Sequence, residues 1–266
     1  VTPLVYYAER DKKKAAKMFD ALSTGMATRG CRLRWAEDLG RAERAPAVFY
    51  GMSAATCGAL RAYQEGARDF YYIDNAYFGR GKYYRITRGA LQHSGVPDGR
   101  IVDARRLVPH GVEIKPWRPA ERDGPILVVL QSELWFELHE LPAREWVARV
   151  VGALREHTGR DVVVRAKPPP REIDPRTFPE VLAGAWAVVT WSSNAAVQAV
   201  LEGVPAFTWV DCAATAMGSK DLSLIERPPT PPGRRRWAQV LASNQWTRAE
   251  VASGRAWRDL HEKAPK

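Results

Sequence analysis

A chain of 266 residues is long for one compact unit and short for two full domains, since domains commonly run ~100 to 200 residues, so two lobes of modest size are expected. Apolar residues at 45% and charged residues at 26% match a folded globular chain and exclude a disordered chain, a collagen and a coiled coil. Forty Lys and Arg stand against 30 Asp and Glu, a formal net charge of +10 that favours polyanionic partners without choosing among nucleic acid, phosphorylated substrates and an anionic membrane surface.

No stretch approaches the ~18 consecutive apolar residues of a membrane span, and residues 1–10 hold no long apolar run behind a basic start. A soluble cytoplasmic protein is expected. Cys31, Cys57 and Cys212 lie far apart in apolar surroundings and read as core residues of a reducing compartment. The five histidines are equally scattered, so no metal site is expected.

In chain order, residues 3–8 read as a strand and 11–29 as a helix, followed by strands at Cys31–Trp35 and Ala47–Tyr50, a helix over Ala54–Glu65 and a strand over 69–73. Residues 75–107 read mostly as loop, with a short helix near Ala90. The stretch 110–123 breaks periodicity with two prolines and many charges, and is expected to link the lobes. The alternation then resumes: strand 126–130, helix 142–157, strand 161–165, a proline-rich loop, a short helix over 178–183, strand 187–191, helix 193–202 and strand 206–209. After the Pro-Pro-Thr-Pro-Pro-Gly run at 228–233, helices are expected over 234–242 and 248–260. Strands alternating with helices imply parallel sheets covered on both faces. The expected organisation is α/β: a Rossmann-like lobe at 1–118, a second at 119–232, and C-terminal helices at 233–266 packing across both.

Three constellations carry chemical content. In the first, a strand ends at Trp191, hydroxyls follow at Ser192 and Ser193, and a helix begins there. Free amides and the positive end of a helix dipole suit a phosphate, although Ser at such a place also serves as a plain helix cap. In the second, an apolar strand runs into Arg165 and Lys167 before three prolines. Ligands in open parallel sheets sit beyond the carboxyl ends of strands, so both cations would emerge beside the serines. The alternative is a pair of solvated loop cations.

The third constellation opens at Asp74. A carboxylate at a strand end is placed to take a proton from a hydroxyl, and equally to cap a helix or pair with Arg80 or Arg85. His93 is the second candidate base; Glu9 and Asp11 are weaker ones. Tyr77, Phe78, Arg80, Lys82, Tyr83, Tyr84, Arg85 and Arg88 interleave rings with cations, as a grip on exposed bases and phosphates would, and as an aromatic core under a basic rim would too.

The strand leading into Arg-x-Lys-Pro, and the strand leading into Ser-Ser-x5-Ala-x3-Gly-Val-Pro, together resemble the donor half of GT-B glycosyltransferases over about residues 125–211. The likeness is to enzymes of capsule and surface polysaccharide synthesis and to related bacteriophage glycosyltransferases. It implies two facing Rossmann-like lobes, with the second binding a nucleotide-diphosphate sugar, a UDP-sugar foremost, and no metal or further cofactor. Arg165 and Lys167 would fall where the family has Arg-Pro-His-Pro, Ser193 on the helix-start serine that looks toward the diphosphate, and Gln131 and Ser132 beside the same phosphates. Lys167 departs from a common His, and Gln198 from the Glu that holds the ribose; Gln can still hydrogen-bond there.

In such a reaction Asp74, the first choice for general base from its place at a strand end, would deprotonate the acceptor. The brevity of the chain, its charge and the aromatic loop resemble phage DNA-modifying glycosyltransferases, which implies transfer to a hydroxymethylated pyrimidine in double-stranded DNA, in the host cytoplasm. The alternatives are a capsule- or lipopolysaccharide-type glycosyltransferase and a non-catalytic nucleic-acid-binding protein on the same scaffold.

Overall fold

A computed structural model describes residues 2–28, 30–39, 45–93, 102–118, 123–166 and 177–262. The chain divides into two compact units, one built from Val1–His93, Asp98–Arg106 and Val240–Lys266, the other from Ser94–Pro97 and Leu107–Gln239.

The first unit opens with β1 (Thr2–Tyr7), α1 (Lys13–Ala27), β2 (Cys31–Trp35), β3 (Ala47–Tyr50), α2 (Ala54–Glu65) and β4 (Phe70–Asn75). These strands pair in parallel, as the alternation predicts. Beyond β4 the structure departs from the expected loop and short helix. Residues 83–88 form β5 (Tyr83–Arg88), which lies antiparallel to β4, and residues 89–92 make bends where a helix near Ala90 was expected. The aromatic and β-branched residues of Tyr-Tyr-Arg-Ile-Thr-Arg are a strand composition that the two arginines conceal.

The second unit has β6 (Ile126–Val129), α3 (Glu133–Leu138), α4 (Ala143–Arg155), β7 (Val162–Arg165), α5 (Phe178–Gly184), β8 (Ala187–Thr190), α6 (Asn194–Leu201) and β9 (Ala206–Thr208). Its four strands run in the order β7-β6-β8-β9, all parallel. β6 and β8 are buried throughout, as expected of central parallel strands. On α4, Trp146, Val150 and Leu154 recur at intervals of four and are fully buried, the apolar stripe of a helix lying on a sheet.

The stretch that reads as a linker is tied to this unit over 115–118. Lys115 donates its amide to the Leu201 carbonyl at 2.9 Å, and Arg118 to the Gly203 carbonyl at 3.0 Å. Gly203, at φ +73°, is required there, since a Cβ would stand 1.9 Å from the Pro116 oxygen. Trp117 donates its indole N–H to the Pro231 carbonyl at 3.1 Å and lies under the Arg234 guanidinium at 4.0 Å, which fastens the proline-rich run.

The C-terminal part contributes α7 (Arg234–Ser243), β10 (Gln245–Thr247), α8 (Arg248–Ala252) and α9 (Arg255–Glu262). β10 pairs antiparallel with β5 and completes a six-stranded sheet in the order β10-β5-β4-β3-β1-β2. Thr247 caps α8 by accepting from the Glu250 amide, while Glu250 reaches back to the Thr247 amide. α1 packs on α8 at close range: Gly25 meets the Val251 carbonyl where a Cβ would stand only 2.1 Å away. Beneath them Met18, Leu22, Met26, Tyr71, Trp246 and Trp257 form one core with the strands.

Candidate functional site

At the carboxyl edge of the four-stranded sheet, Val129 stands opposite both Arg165 and Thr190 across neighbouring strands. With strands spaced ~4.8 Å apart, Arg165 and the end of β8 lie about 10 Å from each other, within the reach of one ligand for an Arg side chain. The Arg165 guanidinium rests over the Phe178 ring at 5.8 Å. Lys167 lies outside the described residues.

Just past β6 and β8 the two loops touch. Gln131 donates from its side-chain amide to the Ser192 hydroxyl at 3.0 Å, and Ser192 is buried. Ser193 is the N-cap of α6, and its hydroxyl accepts from the Ala195 amide at 3.2 Å. The capping role weighed from the sequence is therefore present, and the positive end of α6 opens at the same edge. Ser132 is the N-cap of α3, with its hydroxyl making no cap bond. Gln198 is exposed, on the second turn of α6.

The same edge carries an aromatic cluster that sequence reasoning missed. Trp191, one residue past β8, stacks on His139 at 5.0 Å and lies near Trp146 at 6.0 Å. Trp209, one residue past β9, donates its amide to the carbonyls of Thr190 and Trp191 at 2.9 and 3.0 Å. The signal available in the sequence was a Trp directly following each of two apolar strands.

In the first unit, Asp74 sits directly across the β4–β5 ladder from Arg85. The Arg85 guanidinium, 5% exposed, donates to Asp74 at 3.0 Å, and the Asn75 amide donates to the other carboxylate oxygen at 2.6 Å. Of the readings weighed for Asp74, the ion pair with Arg85 is thus present; its carboxylate keeps 33% exposure. At the end of β1, Lys12 and then Ser53 hold the Glu9 carboxyl below its usual range. Tyr50 ends β3 beside Tyr84, with ring centroids 6.3 Å apart; burial first, then Tyr84 and Asp74, push its phenol up. The first unit's carboxyl edge therefore gathers Glu9, Tyr50, Ser53 and Asp74, of which Tyr50 and Ser53 were not singled out from sequence.

His93 and the Tyr77 hydroxyl lie 2.7 Å apart through Nδ1. Burial, then the Arg85 charge, push His93 down to about 3, so its imidazole is neutral at pH 7. The interleaved segment divides by exposure. Phe78, Tyr84 and Arg85 are buried, Arg80, Lys82 and Arg88 are exposed, and Arg88 pairs with Asp69 at 2.9 Å. Rings beneath and cations above is the arrangement of a core with a basic rim. Among the described residues no group of three His, Cys, Asp or Glu side chains could hold a metal ion, and no helix is long and apolar enough to cross a membrane.

No family model and no curated protein matches the chain. Among solved structures it is similar to the β-Kdo 2,7 transferase of Thermosulfurimonas dismutans KpsC, with a TM-score of 0.50 at 12% identity over 96% of this chain and 99% of that one. It is also similar to the β-Kdo 2,4 transferase of the same KpsC, with a TM-score of 0.46 at 9% identity over 91% of this chain and 90% of that one. At such identity the likeness speaks to fold alone. The chain has a glycosyltransferase-like α/β fold made of two Rossmann-like units.

Proposed function

We propose that this protein is a glycosyltransferase that moves a sugar from a nucleotide-activated donor to a hydroxyl of a surface-polysaccharide-type glycan. The observation that carries the reading is the carboxyl edge of the second unit, where Arg165 ends one strand while the Gln131–Ser192 contact and the Ser193-capped start of α6 stand two strands away. Strand ends, a helix start and a cation at one sheet edge make an anion site of the kind that nucleotides use. Similarity in fold to a protein named as a Kdo transferase favours a glycan acceptor over the DNA acceptor expected from composition and the aromatic loop. The burial of Phe78 and Tyr84 and the pairing of Arg85 and Arg88 point the same way, since they take those groups out of a stacking grip.

In the proposed reaction the acceptor oxygen forms a bond to the anomeric carbon as the bond from that carbon to the phosphate oxygen breaks. Arg165 and the amino end of α6 stabilise the charge that builds on the leaving phosphate. For the acceptor proton the first candidate is Asp74, whose carboxylate remains partly exposed, and the second is the neutral His93.

The test is incubation with a panel of nucleotide sugars and three acceptors: lipid-linked or free glycans ending in Kdo, glycans lacking it, and duplex DNA bearing hydroxymethylated pyrimidines. Products are read by mass. A gain of one sugar on a glycan is expected. A gain on the modified base alone would restore the DNA acceptor, and no gain on any acceptor with any donor would refute the transferase.

A further inference from the structure

We propose that the exposed indole of Trp209 is the stacking platform for the nucleobase of the donor, with an indole N–H of the adjoining cluster, Trp191 foremost, donating to an oxygen of the base or ribose. This deepens the reading of the second unit as the nucleotide-binding side and rests on it. Of the ten tryptophans, all within the described residues, nine are buried or partly buried; Trp209 is 39% exposed and Val210 beside it 37%.

The exposure is not slackness. The Trp209 amide is held by two carbonyls, and the ring meets Trp146 edge-on at 6.4 Å with an interplanar angle of 85°. Trp146 is wholly buried and fixes the ring from within. A flat apolar surface kept rigid and wet loses little further freedom when a second ring lies on it.

Its place in the fold indicates what lies there. Trp209 is the first residue beyond β9, and the carbonyls that hold it belong to the end of β8, immediately before Ser192 and the start of α6. A nucleotide with its phosphate at the α6 start would have its base about one strand spacing away, at the end of β9. A second, independent observation also points to a ligand. The indole N–H groups of Trp135, Trp146 and Trp191 are buried and find no hydrogen-bond acceptor among the described residues. A buried donor left without an acceptor costs free energy comparable to a lost hydrogen bond, so such groups call for an acceptor. All three belong to the network of rings around His139, Trp146 and Trp209. Carbonyl oxygens of a base and hydroxyls of a ribose are acceptors of that kind, carried on the group that stacks.

The experiment measures binding calorimetrically on the full chain, with nucleoside mono- and diphosphates of the four bases and with inorganic pyrophosphate. Trp209→Ala is expected to weaken the preferred nucleotide ~10- to 100-fold, Trp209→Phe to recover most of it, and both to leave pyrophosphate affinity unchanged. Trp191→Phe, which keeps the ring and removes the N–H, is expected to cost about fivefold. If Trp209→Ala binds nucleotide like wild type while Arg165→Ala does not, the platform is overturned and the nucleotide site stands. A loss of pyrophosphate affinity in Trp209→Ala equal to the loss of nucleotide affinity would overturn the platform as well. If wild type binds no nucleotide, the platform and the reading beneath it fall together.

Discussion

At the carboxyl edge of the six-stranded sheet, charge is answered by charge within the protein: Asp74 by Arg85, Glu9 by Lys12. The four-stranded sheet ends instead in a helix start, a guanidinium lying on a ring, and an exposed indole held by backbone. The contrast arises from strand direction. An antiparallel ladder sets residues face to face, so β5 brings Arg85 directly across from Asp74. An all-parallel sheet sends every strand out at one edge into a loop, and three of the four here lead to helices that start near it. The first arrangement pairs charges across a ladder; the second gathers a helix start, a guanidinium and an exposed ring along one edge.

The strongest way to break this contrast is Arg165→Ala, expected to lower turnover at least ~100-fold by removing charge stabilisation at the leaving phosphate. A near-normal rate in a single-turnover assay would take Arg165 out of the site. Asp74→Asn is expected to abolish transfer while leaving donor affinity as it was. Unaltered transfer would reduce Asp74 to the partner of Arg85 and move the base elsewhere.

Packing offers a gentler probe that separates the units. Gly25→Ala drives a methyl into the Val251 carbonyl, and Gly203→Ala drives one into the Pro116 carbonyl at a positive φ. Each is expected to destabilise its unit by about 1–3 kcal/mol. Hydrogen exchange should quicken in α1 and α8 for the first variant and across 111–118 and α6 for the second. Exchange rising equally in both units for either variant would mean that the units do not respond separately.

A pH-dependent effect concerns His93, whose folded pKa of about 3 lies below its ordinary value near 6.5. Between those values the unfolded chain holds a proton that the folded chain does not, so stability falls as pH drops from 7 toward 4. His93→Gln should show a shallower loss over that range in chemical denaturation. An identical slope would mean that His93 titrates normally.

The alternation of strand and helix was legible from periodicity, and with it the four-stranded parallel sheet, the parallel β1–β4 part of the six-stranded one and the serine-capped start of α6. What was not legible came from pairing across long separations. β10 is three residues between two helices, and only its ladder with β5 makes it a strand. Arg85 reads from the sequence both as a cation of a binding loop and as a partner of Asp74, and only the β4–β5 register decides between them. Trp209 reads as one more strand-end aromatic, because nothing in Phe-Thr-Trp-Val says which ring faces water. Residues 115–118 look like a tether for the opposite reason: their backbone partners, Leu201 and Gly203, lie some 85 positions further along.

The ladder between β5 and β10 also bears on how the protein is made. The six-stranded sheet lacks a strand, and the α1 surface its cover, until residues 245–262 have left the ribosome, whereas Leu107–Gln239 has emerged whole before then. Domains generally fold as units during synthesis. The unit built on Leu107–Gln239 therefore matures first, and the unit that holds β1 to β5 waits for residues 245–262, with α1 uncovered where Gly25 meets the Val251 carbonyl.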